Sequence, residues 1–270
     1  MTVALASAKL NLALIVGPVR ENGKHELATV FQRIALADRI ELDPAPEIEI
    51  VGFVPDTLVR FVLEALAERA RVEPRWRISI EKEVPVAAGL GGGSSDAATA
   101  LRLVNATLGS PLSPGELIEL VRPLGADIPF FLLDGPQLGT EDGGELRPLA
   151  LPQDYAVLLV LPDGVAKAST GEVYRAFDER RGEQGFAERR AALLGVLESV
   201  RRPTDLALLP ANDLAGSPLS ARLLELGAFR ADVSGAGPAV YALFEQRERA
   251  EKAAEAMATI GDVRLTEPAW

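Results

Sequence analysis

At 270 residues, 48% of them hydrophobic and 25% charged, the chain has the composition of a globular protein of one or two domains, not of a disordered segment. Its net charge of −11 argues against nonspecific binding to nucleic acid or to an anionic membrane, so an anionic ligand would need a local positive site set against the overall field. The lack of cysteine removes disulfides, thiolate catalysis and cysteine-bound metals, and with neither a long apolar run nor a charged leader the expected location is cytoplasmic.

In chain order, Val3 to Val16 reads as one long strand. Ala4, Ala6, Ala8, Leu10, Leu12 and Leu14 share one face, and Ser7, Lys9 and Asn11 share the other. Taken alone, that polar trio describes an edge strand with a solvated face. Glu21-Asn22-Gly23 is a turn signal before Lys24 and His25, the chain's only histidine, which on its own would be an ordinary surface residue. Short strand pieces follow around Ile40, Leu42, Ile48 and Ile50. Pro55 to Val59 leads into a helix whose apolar stripe runs through Phe61, Val62, Ala65 and Leu66 and stops at Arg69.

Trp76, Ile78 and Ile80 alternate with polar residues in the period of a half-buried strand. After Pro85 come Gly89, Leu90, Gly91, Gly92, Gly93, Ser94 and Ser95, then a helix carrying Ala97, Ala98, Leu101, Val104 and Leu108 at helical spacing. Ser94, Ser95 and Asp96 are its N-cap candidates. A strand, a glycine loop and a helix N-terminus together present free backbone N–H groups and the positive end of a helix dipole, and glycines let an anion approach closely. We read the run as a phosphate cradle. The lysine of a Walker A loop is missing, and Ser94 stands where a dinucleotide fingerprint needs its third glycine. The alternative is a loop that only packs tightly or caps a helix.

Further on, Ser113 and Glu116 form a capping-box pattern. Asp127 precedes Ile128-Pro129, a good helix-cap position. Gly135 to Gly144 reads as a hairpin or loop, Leu149 to Pro152 as a passage between domains, and Tyr155 to Leu161 as a buried strand. Ser169-Thr170 opens a helix, as N-cap pair or ligand contact. Glu179 to Glu188 reads as a solvated connection, and Arg189 to Val200 has helical spacing. Asn212-Asp213-Leu214 could be a turn. Ser234-Gly235-Ala236-Gly237-Pro238 precedes a strand through Val240 and Ala242 and a helix from Arg247 to Ala258.

The glycine run is similar to the second signature motif of the GHMP kinases, the family of galactokinase, homoserine kinase and mevalonate kinase. Within it, Gly89 to Ala97 looks most like the branch acting on a cytidine-diphosphate alcohol in non-mevalonate isoprenoid synthesis. Ala8-Lys9-Leu10-Asn11-Leu12 resembles the first motif, with Ser7 where proline is usual, and Ser234 to Pro238 resembles the third, with Ala236 for a serine. Gly23, His25, Leu27 and Thr29 match the branch's cytosine-contacting pattern, in which Lys24 replaces a tyrosine. Thr57 departs from an adenine-side motif, and Gly125 to Phe131 matches the segment holding the proposed catalytic base.

The resemblance implies an α/β (α+β) two-domain GHMP kinase fold, with an S5-like N-terminal ATP-binding domain (1–150) and a ferredoxin-like C-terminal domain (151–270). It implies ATP-dependent phosphorylation of a small alcohol, with Lys9 and Asp127 catalytic. Pro85, Gly89, Leu90, Gly91, Gly92, Gly93, Ser94 and Ser95 would hold ATP; Asn11, Lys24, His25, Thr170, Gly235 and Gly237 would meet the substrate. Mg²⁺ is expected with ATP, and Ser95 is its candidate ligand. The expected partner is a small molecule, a cytidine-diphosphate alcohol, with no nucleic acid and no membrane, and the protein would be a monomer or homodimer. Lys24 keeps a second reading open, a GHMP kinase for a mevalonate-like or sugar alcohol. A third is a non-catalytic binding protein of the same fold, against which Lys9 and Asp127 argue.

Overall fold

The computed structural model describes residues 1–53, 57–165 and 169–269. The chain forms two compact units. One comprises residues 1–8, 36–86 and 91–134, the other 9–35, 87–90 and 135 onward. The units interleave along the chain. Pro55 and Asp56, at the expected entry to the first helix, lie outside the described residues.

The first unit takes the start of β1 (Thr2–Val19) and the second half of β2 (His25–Pro44), with β3 (Glu49–Val51) and β4 (Trp76–Glu81). β4 pairs antiparallel with β2, from Arg39 opposite Glu81 to Pro44 opposite Trp76, and parallel with β3. Trp76, Ile78 and Ile80 are buried, as the alternation predicts. Four helices follow: α1 (Thr57–Ala70), α2 (Gly92–Thr107), α3 (Pro114–Val121) and α4 (Ile128–Phe131). Val59, Val62, Leu63 and Leu66 of α1 and Ala97, Leu101 and Val104 of α2 are in the core. Phe61, expected on the α1 stripe, is exposed instead. The inward face is set by Val59, Val62, Leu63 and Leu66, a spacing of three and four that turns Phe61 outward. The capping box of Ser113 and Glu116 is present.

In the second unit the first half of β2 pairs antiparallel with β5 (Gln137–Glu141), which forms a hairpin with β6 (Glu145–Pro148). A four-stranded antiparallel sheet follows in the order β10 (Gly261–Thr266), β7 (Ala156–Pro162), β9 (Val240–Phe244), β8 (Arg230–Val233). Its central strands are apolar throughout because both faces are covered. Ala156, Leu158, Val160, Ala242 and Phe244 pack with Leu223 of α7 (Pro218–Glu225) and with Ala250, Ala253 and Met257 of α8 (Arg247–Met257). α5 (Thr170–Glu179), α6 (Phe186–Ser199) and a 3-10 turn at Pro203–Leu208 lie between β7 and α7 in the chain. The stretch read as a solvated connection therefore already includes the start of α6, which Gly185 opens.

Candidate active site

β1 differs most from the edge strand that its polar trio suggested. Lys9 and Asn11 are only 3% and 4% exposed. A buried ammonium and amide must find partners, and both do. Lys9 Nζ donates to Asn11 Oδ1 at 2.5 Å and to the Gly89 carbonyl at 3.1 Å, and lies 5.7 Å from the centre of the Phe31 ring. Asn11 Nδ2 donates to Thr29 Oγ1 at 2.8 Å, and Thr29 passes the chain on to the Ala13 carbonyl. The Lys9 backbone N–H donates to Leu90 O at 2.9 Å, so strand and glycine loop are tied through main chain as well.

The loop before β9 joins the same network. Ser234 Oγ donates to the Gly89 carbonyl at 3.0 Å and accepts from the Asn11 backbone N–H at 3.3 Å. Ala239 N donates to Ala88 O. Gly89, at φ +84°, packs so closely that a Cβ would stand 2.1 Å from the Ser234 carbonyl oxygen. Gly235 has Gly89 O and Asn11 Oδ1 just beyond 3 Å from where its Cβ would be, and Gly237 faces Val233. Asn212 holds this loop from the side, donating to the carbonyls of Val233 at 2.9 Å and Gly235 at 2.7 Å.

In the first unit α2 begins earlier than expected. Gly91, in the left-handed region at φ +71°, is the N-cap, and the Ser95 N–H already bonds Gly91 O. Ser94, Ser95 and Asp96 therefore lie inside the helix rather than capping it. Among the described residues no N-cap side chain bonds the first turn, whose leading N–H groups are those that a helix leaves for a ligand or solvent. Ser95 is buried and donates its hydroxyl to Ser7 O at 2.7 Å. Pro85, Gly92 and Ser94 are partly exposed and Gly93 is exposed.

Beneath this turn Lys82 Nζ bridges two fully buried carboxylates, Asp38 Oδ2 at 2.5 Å and Asp96 Oδ2 at 2.7 Å. Among the described residues Asp96 Oδ1 has no hydrogen-bond partner. Burial first, and then the neighbouring Asp38 charge, push the Asp96 carboxyl up to about 8, against the pull of Lys82. For Lys82 burial lowers the pKa, but its two carboxylate partners outweigh that and raise it.

Asp127 occupies the N-cap position of α4, is partly buried, and makes no side-chain capping bond. Its helix-cap reading is thus limited to position. Lys24 donates to Asp142 Oδ2 at 2.7 Å. Burial would raise the Asp142 carboxyl, yet this bond and the Gly144 N–H hold it below the usual carboxylate range. His25 is buried, not a surface residue: Nδ1 is 2.8 Å from Gly17 O, Nε2 is 3.4 Å from Asp178 Oδ1, and the ring stacks on Tyr174 at 5.0 Å and meets Phe177 edge-on. Thr170 is exposed at the start of α5, where Ser169 and Glu172 form the capping box.

The second unit thus brings together Lys9, Asn11, Gly89, Leu90, Gly235 and Gly237, and the first holds Gly91 to Ser95 at one helix end. Sequence reading missed Asp38, Lys82, Thr29 and Ser234 as members of these networks. Asp38 stands in a strand without a motif of its own, and Thr29 was within a quoted motif that gave no hint of its bond to Asn11. Ser234 was within a quoted motif, and its bond to Gly89 depends on a fold-level approach that spacing cannot show.

A family profile described as the GHMP kinases N terminal domain matches residues 57–135, and one described as GHMP kinases C terminal matches 219–262. The chain is 37% identical, over 94% of its length and 88% of the relative's, to a 4-diphosphocytidyl-2-C-methyl-D-erythritol kinase from Corynebacterium efficiens. It is 38% identical, over 89% of its length and 85% of the relative's, to the enzyme of that name from Desulfotalea psychrophila. A crystal structure of 4-(cytidine 5'-diphospho)-2C-methyl-D-erythritol kinase is similar along the full length of both chains, with a TM-score of 0.81 and 32% identity. The Methanococcus jannaschii mevalonate kinase shares the fold at 15% identity, with a TM-score of 0.77 over all of this chain and 98% of that one.

Proposed function

Because this chain belongs to the 4-diphosphocytidyl-2-C-methyl-D-erythritol kinases of the GHMP family, we propose that it transfers a phosphoryl group from ATP to the 2-hydroxyl of 4-(cytidine 5'-diphospho)-2-C-methyl-D-erythritol. It is an ATP-dependent small-molecule kinase. The observation that carries the choice of acceptor is the similarity along nearly the whole chain, 37% over 94% of it. A mevalonate-like acceptor has only fold-level likeness in its favour.

Phosphoryl transfer asks a protein mainly for positioning and charge stabilisation. Lys9 would neutralise charge on the transferring phosphoryl group, its ammonium aimed by Asn11 and Gly89. Asp127 would take or orient the proton of the acceptor hydroxyl. Pro85, Gly89, Leu90 and the first turn of α2 from Gly91 to Ser95 would hold the ATP phosphates, and that turn's uncapped N–H groups support it. Asn11, Lys24, His25, Thr170, Gly235 and Gly237 would line the substrate side. His25, enclosed by Tyr174 and Phe177, would act there chiefly as a support.

Mg²⁺ would come with the nucleotide and neutralise phosphate charge. Among the described residues no group of three or more His, Cys, Asp or Glu could hold a metal. That fits an ion bound mostly by phosphates and water, with few protein ligands. The Ser95 hydroxyl, whose proton goes to Ser7 O, keeps its lone pairs for such an ion. We assign residues 1–150 to the ATP-binding half and 151–270 to the C-terminal half. We also place the protein in the cytoplasm as a monomer or homodimer without nucleic-acid or membrane partners; among the described residues no helix is long and apolar enough to cross a membrane.

The deciding experiment is an ATP-consumption assay with the cytidine-diphosphate substrate beside mevalonate and homoserine. Turnover with the cytidine compound alone is expected. Turnover with another alcohol and not with it would overturn the acceptor while leaving the chemistry.

A further inference from the structure

Asp38 belongs to none of the motifs, yet it reaches both ends of the glycine loop. Its Oδ1 accepts the backbone N–H groups of Glu83 at 2.7 Å and Val84 at 2.8 Å, the residues that lead into Pro85. Its Oδ2 accepts from Lys82 Nζ at 2.5 Å. The same ammonium donates to Asp96, which directly follows Ser95, at 2.7 Å. Lys82 lies under the helix start: a Cβ on Gly92 would be 3.2 Å from Nζ and 3.1 Å from Val84 Cγ1. On its other side it lies 5.5 Å from the centre of the Phe53 ring.

Two buried carboxylates around one ammonium are a costly means of filling a core, since apolar side chains of equal volume would need no desolvation. What they add is direction. Charge-assisted hydrogen bonds fix the Glu83 and Val84 N–H groups and the first turns of α2 in one orientation, which apolar packing would leave loose. A misplacement of even about 1 Å at a phosphate-binding turn costs a large factor in rate or affinity.

We propose that Asp38 is a positioning residue for the phosphate-binding loop, fixing the chain that enters it through Glu83 and Val84 and the chain that leaves it through Lys82 and Asp96. The inference rests on the reading that residues 85–95 hold ATP.

Asp38→Asn preserves the side-chain shape but removes the charge that holds Lys82. The KM for ATP should rise about tenfold or more, while kcat and the KM for the cytidine substrate stay within about threefold. Amide exchange over residues 83–96 should quicken, and saturating ATP should slow it again. A folded variant with wild-type KM for ATP overturns the assignment. Should Asp38→Asn fail to fold, Asp96→Ala decides, because it removes the Lys82 acceptor of the trailing arm alone. A several-fold higher KM for ATP with faster exchange over 91–96 supports the proposal, and an unchanged KM overturns it. Failure of the wild type to bind ATP would instead overturn the ATP reading of the loop. Exchange at Glu83 and Val84 would still report whether Asp38 holds them.

Discussion

The Lys9 ammonium and the Gly89 carbonyl stand 3.1 Å apart, joining β1 to the glycine loop across 80 residues of sequence. Asn11 takes a second bond from the same ammonium, and Asn11 is itself fixed by Thr29. The cation is therefore aimed by the fold, and little further ordering is required when a phosphoryl group is presented to it. Lys9→Met keeps the aliphatic stem and removes the charge. We expect kcat to fall about 10²-fold or more, by analogy with the loss of a single preorganised donor. Lys9→Arg should not restore it, because a planar fork cannot meet Asn11 and Gly89 as a point charge does. Steady-state kinetics on folded variants would check this, and full turnover by Lys9→Met would remove Lys9 from the reaction.

Gly89 in the loop and Gly93 in the first turn of α2 have different reasons to be glycine. Gly89 has positive φ and a backbone oxygen 2.1 Å from its would-be Cβ, so Gly89→Ala should lower stability by about 1–3 kcal/mol and disturb Lys9. A Cβ on Gly93 meets nothing within 4 Å. Gly93→Ala should therefore leave the melting temperature near wild type but raise the KM for ATP, since only a ligand would meet the added methyl. Thermal melts paired with ATP titrations separate the two cases. An unaltered KM in Gly93→Ala would mean that phosphate does not approach there.

Much of this architecture was legible because local chemistry and global fold agree. The alternation of Trp76, Ile78 and Ile80, the boxes at Ser113 and Ser169, and the apolar run through β7 each state their environment in a few residues. Where long-range contacts decide, local pattern misleads. Lys9 and Asn11 read as solvent-facing because polar residues on a strand usually are, but partners 80 and 18 residues away satisfy them in the interior. Ser94 to Asp96 read as caps because those residue types favour caps, yet the left-handed Gly91 starts the helix before them. Lys82 carries no local signal in the sequence. Only the approach of Asp38 and Asp96 makes it a buried bridge.

Asp127 offers a test in which position and side chain come apart. It stands at the N-cap of α4, but its carboxylate makes no capping bond. Asp127→Asn keeps the side-chain shape and removes its negative charge. Turnover should fall by several orders of magnitude, with ATP binding nearly intact. Calorimetric ATP binding beside single-turnover kinetics would show it. Normal turnover would end its assignment as the base.

Lys24 occupies the position at which the related branch carries tyrosine, and here it pairs with Asp142 at 2.7 Å. The lysine is half exposed, so the pair contributes only about 0–1 kcal/mol. Lys24→Tyr should cost little stability. It should lower the KM for the cytidine substrate about three- to tenfold, the gain of one aromatic stacking contact. The KM for ATP should not move. If the cytidine KM is also unmoved, position 24 does not line the acceptor site in this protein.

Asp96 predicts a pH dependence of stability with a definite sign. Burial and the adjacent Asp38 charge raise its carboxyl to about 8 in the folded protein, against about 3.9 in an unfolded chain. Between those values the folded state binds the proton more tightly than the unfolded state, so unfolding releases it and stability falls as pH rises. The contribution is complete below about pH 4, declines through about pH 8, and is flat above. Asn cannot titrate, so Asp96→Asn removes this slope. Melting temperatures measured from about pH 5 to about pH 9 should therefore decline more steeply for the wild type than for Asp96→Asn. Parallel curves would mean that Asp96 is ionised in the fold and that Lys82 alone balances both carboxylates.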